Sequence, residues 1–324
     1  MCIRDSINIL EMVPTLFSEI ITMISNDKEG MLKLNTLQYI LLTGEVLPVS
    51  LCCKWYALNE PAILVNAYGP TECSDDVTHY VVPRNIAITE KKVPIGKVIR
   101  NTELYIIKSR MENGEVEVAE QGEKGELYIC GTCLGNGYVN NAKKTVESFV
   151  YIMIDGERKK AYKTGDIVSL NDEENYVFWE RVDRQIKLNG YRIEVEEIEE
   201  VIRSYENVNN CCVVKRTVNN SFVYYLHNED NNRKMKEQEI LVAYIVCRNV
   251  DVMELKQWLE GRLPFFMVPE QYICIEEMPV TSNGKINYAK LPEPSMKRNI
   301  VSTTYENLQT NDEKAMAKIW TEIL

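Results

Sequence analysis

The segment Val65-Asn66-Ala67-Tyr68-Gly69-Pro70-Thr71-Glu72 constrains this chain more than any other. The short apolar run before it, Ala62 to Val65, reads as a strand. Gly69-Pro70 ends that strand, because proline fixes φ and removes a backbone donor. An aromatic ring, a hydroxyl and a carboxylate are thereby held close together on a stiffened loop. Such a trio can stack a flat ring, donate to a phosphate and hold a cation. An ordinary strand-terminating turn is the alternative reading of the same residues.

Pattern along the chain predicts layered α/β packing at first, with a helix over Val13 to Ser25 and strands at Leu37 to Leu42 and Ala62 to Val65. From Val116 to Leu170 short strands multiply. After Asp183 the pattern changes. A helix from Glu194 to Tyr205 puts Val195, Ile198, Val201 and Ile202 on one face. Strands follow at Cys211 to Lys215 and Ile240 to Cys247. A helix over Val252 to Leu263, capped by Asp251, then precedes a strand at Gln271 to Ile275. The polar stretch Asn219 to Lys236 reads as an exposed insertion. Pro292-Glu293-Pro294 opens a polar linker, and Ala315, Ile319 and Ile323 recur at helical spacing.

Composition narrows the class. With 324 residues, 45% hydrophobic and 26% charged, the chain can bury one large core and a smaller second one. A net charge of -11 argues against nucleic-acid backbones as partners. No apolar run is long enough to span a bilayer, and no secretory signal is evident. The ten cysteines lack the density of a small secreted scaffold, so reduced thiols in a cytoplasmic protein are expected. With His79 and His227 as its two histidines, the chain is a poor candidate for a histidine triad or a histidine-rich metal site.

Four further segments recur in order: Gly125-Glu126-Leu127-Tyr128-Ile129-Cys130-Gly131, Tyr162-Lys163-Thr164-Gly165-Asp166, Glu180 to Glu194, and Asn283-Gly284-Lys285. With the Tyr68 to Glu72 loop they resemble the adenylate-forming, AMP-binding enzymes. The wording around Tyr68 and the Leu263-Pro264 to Pro269 run resemble the amino-acid adenylation domains of nonribosomal peptide synthetases. The resemblance implies an α/β and α+β fold. Residues 1–182 would be the C-terminal part of the large α/β subdomain with its β-rich region, and 183–294 a small mobile α+β subdomain. Residues 295–310 would be a linker, and 311–324 the start of a carrier-protein-like helix.

It also implies roles. Tyr68 would stack on adenine beside Gly69, Thr71 would donate to the α-phosphate, and Glu72 would hold Mg²⁺. Asp166 would accept from the ribose hydroxyls with Arg181 helping. Lys285 would bridge the substrate carboxylate and the phosphate, and its loss should cost about 2.7–4 kcal/mol of transition-state stabilisation. Asp183 would be the hinge of the small subdomain, and Gly190 would line the channel for phosphopantetheine borne by a partner carrier domain. The amino-acid pocket would include Glu11, Leu41, Thr43, Ala67, Asp75 and Asp76. Its three carboxylates would favour a cationic side chain such as ornithine, lysine or arginine. Asp75 and Asp76 capping the next segment and facing water is the alternative.

The sequence departs from the family pattern at Glu180, Asn189 and Asn287-Tyr288, and Glu180 is expected to weaken the ribose site. The family's Ser/Thr/Gly-rich phosphate loop and the aspartate for the substrate amino group are absent from the chain. From the abrupt junction at Met1 to Ser6 the chain is expected to be a truncated gene product or an assembly fragment, inactive in pyrophosphate exchange by itself. The implied activity is ATP-dependent formation of an aminoacyl-adenylate and its transfer to a carrier thiol, alongside other synthetase modules. A non-catalytic nucleotide-binding remnant and an acyl-CoA-ligase-like enzyme are the alternatives.

Overall fold

The run at Ala62 to Val65 becomes a strand that reaches Tyr68, because Asn66 and Ala67 are as buried as the apolar residues before them. In this computed structural model the described residues are 7–26, 36–220, 236–247, 250–281 and 285–294. The expectations for Met1 to Ser6, Asn283-Gly284, the linker and the terminal helix lie outside them, as does the polar insertion except at its ends, where Asn219, Asn220 and Lys236 are paired strand residues and not part of an insertion. The chain divides into two compact units, Met1–Arg192 and Ile193–Leu324.

In the first unit, β1 (Ile9–Met12), β2 (Tyr39–Leu42) and β3 (Ile63–Tyr68) are parallel, and β4 (Thr78–Val81) and β5 (Lys97–Val98) continue the sheet antiparallel. Helices α1 (Pro14–Asn26) and α2 (Val49–Ala57) accompany it. Pro14 suits the first helical position, where its missing N–H leaves no hydrogen bond unmade. Phe17 and Trp55 are fully buried with ring centroids 5.2 Å apart, packed with Met12, Leu42 and Leu64 of the sheet. Burying each such side chain contributes roughly 1.5–3 kcal/mol.

The second sheet is antiparallel and β-rich. It runs β11 (Tyr176–Arg181), β10 (Glu157–Leu170), β8 (Gly125–Gly131), β6 (Thr102–Arg110) and β7 (Val116–Val118). Helix α3 (Ala142–Ser148), capped by Asn141, leads into β9 (Phe149–Ile154), which pairs with β10. The expectation of short strands fails at β10, which is one fourteen-residue strand. It stays continuous by bending: its pairing with β8 shifts between Lys163 and Ile167, and its pairing with β11 shifts between Ile167 and Val168. Such bulges accommodate an extra residue and redirect side chains. A hairpin of β12 (Ile186–Leu188) and β13 (Tyr191–Ile193) closes the unit.

The second unit has a three-stranded sheet, β14 (Val208–Asn220), β15 (Lys236–Cys247) and β16 (Gln271–Ile275). Helix α4 (Val195–Arg203) buries Val195, Ile198 and Ile202, while Val201 is only half-buried. The Glu199 carboxylate, also buried, accepts from the Val213 amide at 2.8 Å and ties the helix to β14. Helix α5 (Val252–Glu260) is capped by Asp251, which accepts from the Met253 and Glu254 amides. It stops at Gly261, short of Leu263. Among the described residues no helix is long and apolar enough to cross a membrane.

Candidate functional site: paired carboxylates of the first unit

Tyr68, at the end of β3, is buried and donates its hydroxyl to Asp166 Oδ2 at 2.5 Å. Asp166 is a buried strand residue rather than a turn residue, held at the β10 bulge beside Gly165, whose φ is +76°. Thr164 fixes the bulge from within. Its hydroxyl donates to the Leu127 carbonyl at 2.8 Å and accepts from the Asp166 amide at 3.0 Å.

Arg181 lies opposite Asp166 in the β10–β11 register. It donates to Asp166 Oδ1 at 2.6 Å and makes a bidentate pair with Asp183 at 2.7 Å on each oxygen. Burial alone would push the Asp183 carboxyl up, but Arg181 outweighs it and holds it below the usual range. Lys187 of β12 stands 6.0 Å from the Tyr68 ring centroid. Burial pushes its ammonium pKa down, and Asp166 opposes that shift. Burial and the neighbouring Asp166 carboxylate push the Tyr68 phenol well up, so it stays a donor. Glu180 pairs with Ile167, one position from Arg181, so it faces the other side of β11 and is exposed.

The Thr71–Cys73 turn that follows Pro70 holds Glu72. Tyr138 donates to Glu72 Oε1 at 2.5 Å, and Arg192 donates to Oε2 at 2.6 Å and to the Tyr162 hydroxyl at 3.3 Å. Burial works to raise the Glu72 carboxyl; the Tyr138 hydroxyl and the Arg192 guanidinium prevail and hold it low. The turn is anchored by the Gly135 amide on the Glu72 carbonyl at 2.8 Å. Thr71 is exposed. Gly69 is required by close approach, since a Cβ there would meet the Asp75 carbonyl oxygen at 1.8 Å.

Of the residues assigned to the amino-acid pocket, Glu11, Leu41, Thr43 and Ala67 follow one face of the first sheet, and Asp75 and Asp76 come from the loop before β4. Glu11, Leu41 and Val65 are in register, and Thr43 and Ala67 follow two residues on, away from the face packed on Phe17 and Trp55. Thr43 donates to Asp76 Oδ1 at 3.0 Å, and His79 pairs with Asp76 Oδ2 at 3.1 Å. Carboxylate oxygens of Glu11, Asp75 and Asp76 all lie within 4.8 Å of one another. Burial, then Asp75 and Asp76, push the Glu11 carboxyl up, with His79 opposing. Asp75 is exposed but Asp76 is partly covered, so the second aspartate does not simply face water.

Gly190 sits in the β12–β13 turn with φ of +80°, and a Cβ would meet Val13 Cγ1 at 2.7 Å. Its amide donates to Glu45 Oε1 at 2.7 Å, while Glu45 Oε2 accepts from the Thr15 amide and hydroxyl at 3.0 and 2.6 Å. Lys285 is an exposed residue of the second unit, beside the Val280–Ile286 bridge.

Sequence reasoning missed Tyr138, Glu45, Lys187 and Arg192. Lys187 and Arg192 stood inside a recognised segment, and an unassigned cation there was the available signal. Tyr138 and Glu45 lie far along the chain from Glu72 and Gly190 and carried none.

One carboxylate with hard oxygens suits Mg²⁺, which takes one or two protein carboxylates and completes its shell with phosphate and water. Residues 2–139 match the family model "AMP-binding enzyme", and residues 197–285 match "AMP-binding enzyme C-terminal domain". The chain is similar to tyrocidine synthase 1 of Brevibacillus parabrevis, 31% identical over 90% of this chain and 24% of that protein. It is also similar to zwittermicin A synthase ZmaJ of Bacillus cereus, 32% identical over 87% of this chain and 50% of the relative. It thus spans half or less of these relatives' length. Among solved structures, holo-PA1221, an NRPS protein containing adenylation and PCP domains, superposes with a TM-score of 0.68 at 26% identity. That match covers 87% of this chain and 44% of the other. Two family models matched in chain order make the assignment: the chain is similar to nonribosomal peptide synthetases and belongs to the AMP-binding enzyme family.

Proposed function

We propose that this chain carries the nucleotide and amino-acid sites of an enzyme that converts an amino acid and ATP into an aminoacyl-adenylate and passes the acyl group to a carrier-borne phosphopantetheine thiol. The Asp166 carboxylate, fixed by Tyr68 on one oxygen and Arg181 on the other, carries the reading. Each of its oxygens keeps a further acceptor site, the pattern a vicinal diol needs. Tyr68 is the aromatic surface beside that carboxylate, and Thr71 is the exposed hydroxyl for the α-phosphate.

Mg²⁺ would be held by Glu72, where it would neutralise charge on the phosphates. Arg192 donates to Oε2 of that carboxylate at 2.6 Å and so orients Glu72. The remaining work is positioning: holding the carboxylate oxygen in line with the α-phosphorus, with no covalent protein intermediate. Lys285 is proposed to bridge substrate carboxylate and phosphate, and Asp183 to act as hinge by exchanging its Arg181 pair. Gly190 is proposed for the thiol channel, and the cytoplasm as the compartment.

The substrate is proposed to be a cationic amino acid. Glu11, Asp75 and Asp76 repel one another in the absence of a cation, and an ornithine, lysine or arginine side chain would relieve that repulsion.

Calorimetric titration with AMP and with non-hydrolysable aminoacyl-sulfamoyl adenosines tests this. Asp166→Ala should weaken AMP binding tenfold or more, about 1.4 kcal/mol or above. The ornithyl or lysyl analogue should bind more tightly than the leucyl one. Unchanged AMP affinity in the variant overturns the site, and preference for the leucyl analogue overturns the substrate class. Where pyrophosphate exchange is measurable, Lys285→Ala should slow it about a hundred- to a thousandfold. AMP binding with no exchange under any amino acid would support the nucleotide-binding remnant instead.

A further inference from the structure

We infer that Cys247 and Cys274 form an oxidisable dithiol in the second unit, a modification site that takes a peroxide and closes to a disulfide between β15 and β16. The parallel register pairs Ile245 with Cys274 and Val246 with Ile275. Cys247, two residues beyond Ile245, therefore shares a sheet face with Cys274 and is its diagonal neighbour. The two sulfurs are 3.3 Å apart. Cys274 is exposed on an edge strand and Cys247 is half-buried at the end of β15. Closing to a bond of about 2.05 Å asks for a side-chain rotation and a small approach of the two strands.

The two thiols are chemically unequal. Cys247 donates its S–H to the Cys274 sulfur, so its own proton is engaged and the Cys274 sulfur is the better solvated. Burial, then Cys274 itself, pushes the Cys247 thiol up to about 11. This division of labour suits a peroxidatic and a resolving thiol. The Cys274 thiolate attacks one peroxide oxygen, the O–O bond breaks, and a sulfenic acid and the first water result. The Cys247 sulfur then attacks the sulfenic sulfur, its proton leaves with the hydroxyl as the second water, and the S–S bond forms. Two thiols lose two electrons and two protons, and the peroxide is reduced to water.

Among the described residues, two further candidates are poorer. Cys130 and Cys133 have C-x-x-C spacing, but Cys130 is a buried strand residue whose thiol burial pushes up to about 12. Cys52, buried in α2, is likewise pushed up to about 12 by burial. Neither offers an accessible thiolate.

Hydrogen peroxide is titrated onto the intact reduced chain, and the non-reduced digest is read by mass spectrometry. The expected product links the peptides of Cys247 and Cys274 and has lost two hydrogens, with two fewer titratable thiols. In Cys247→Ser a dimedone adduct should accumulate on Cys274, and in Cys274→Ser labelling of Cys247 should fall several-fold below that. Serine is close in size to cysteine and both positions reach solvent. The wild-type digest needs no variant and stands alone if either fails to fold. Oxidation that leaves 247 and 274 unlinked, with over-oxidation of Cys274 or a bond formed elsewhere, overturns the proposal.

Discussion

Tyr68 and Asp166, ninety-eight positions apart in sequence, share a 2.5 Å hydrogen bond in the interior of the first unit. That bond joins the end of β3 in the first sheet to the β10 bulge of the second. Tyr68→Phe keeps the ring and removes the donor, so it should lower stability by about 1.5–3 kcal/mol, the range for hydrogen bonds to charged groups. Urea unfolding measures it. AMP affinity should fall less in this variant than in Asp166→Ala, because the carboxylate still has Arg181.

Glu72 and Arg192 set an acid limb. The Glu72 carboxyl is held below its ordinary value near 4.5, so its contribution to stability is complete above that value and is lost as pH falls through the lower, folded-state value. Glu72→Gln should lower stability at neutral pH and flatten the decline on acidification. Thermal unfolding across pH 7 to pH 3 measures both. An unchanged acid limb would show that the ion pair carries no pH dependence.

The Glu11 carboxyl is shifted the opposite way. Its value is raised, so its favourable contribution is present at low pH and disappears as pH rises through the folded-state value. At neutral pH the ionised group repels Asp75 and Asp76, and Glu11→Gln should stabilise the chain. The gain should shrink toward zero below the ordinary carboxylate value, and differential scanning calorimetry at two pH values separates these cases.

Gly190 and Gly122 both hold left-handed φ, +80° and +83°, but only Gly190 has a neighbour in the way of a Cβ. Gly122→Ala should cost about 1 kcal/mol for the backbone alone. Gly190→Ala should cost about 0.5–1.5 kcal/mol more, since the half-buried Val13 must turn its Cγ1 away from its rotamer. The difference between the two unfolding free energies isolates packing from φ.

The sequence by itself determined the family and part of the element order, with β1, α2 and β4 to β6 left unread, and it named several residues of the candidate site. Strand and helix periodicity placed α1, α4 and β16 to within a few residues, because their apolar spacing repeats over short range. It also brought Tyr68, Asp166 and Arg181 forward together, since each stands in a segment with its own wording. Tertiary structure decided what those residues touch. Asp166 reads locally as a turn aspartate after Thr164-Gly165, yet β8 and β11 capture it as a buried strand residue at a bulge. Tyr138 reaches Glu72 across 66 positions and Glu45 reaches Gly190 across 145. No local pattern encodes such pairings, because a hydrogen bond between distant segments exists only once both sheets have been packed. The sulfurs of Cys247 and Cys274 meet for the same reason: the parallel register of β15 and β16, not the spacing of the cysteines, brings them to 3.3 Å.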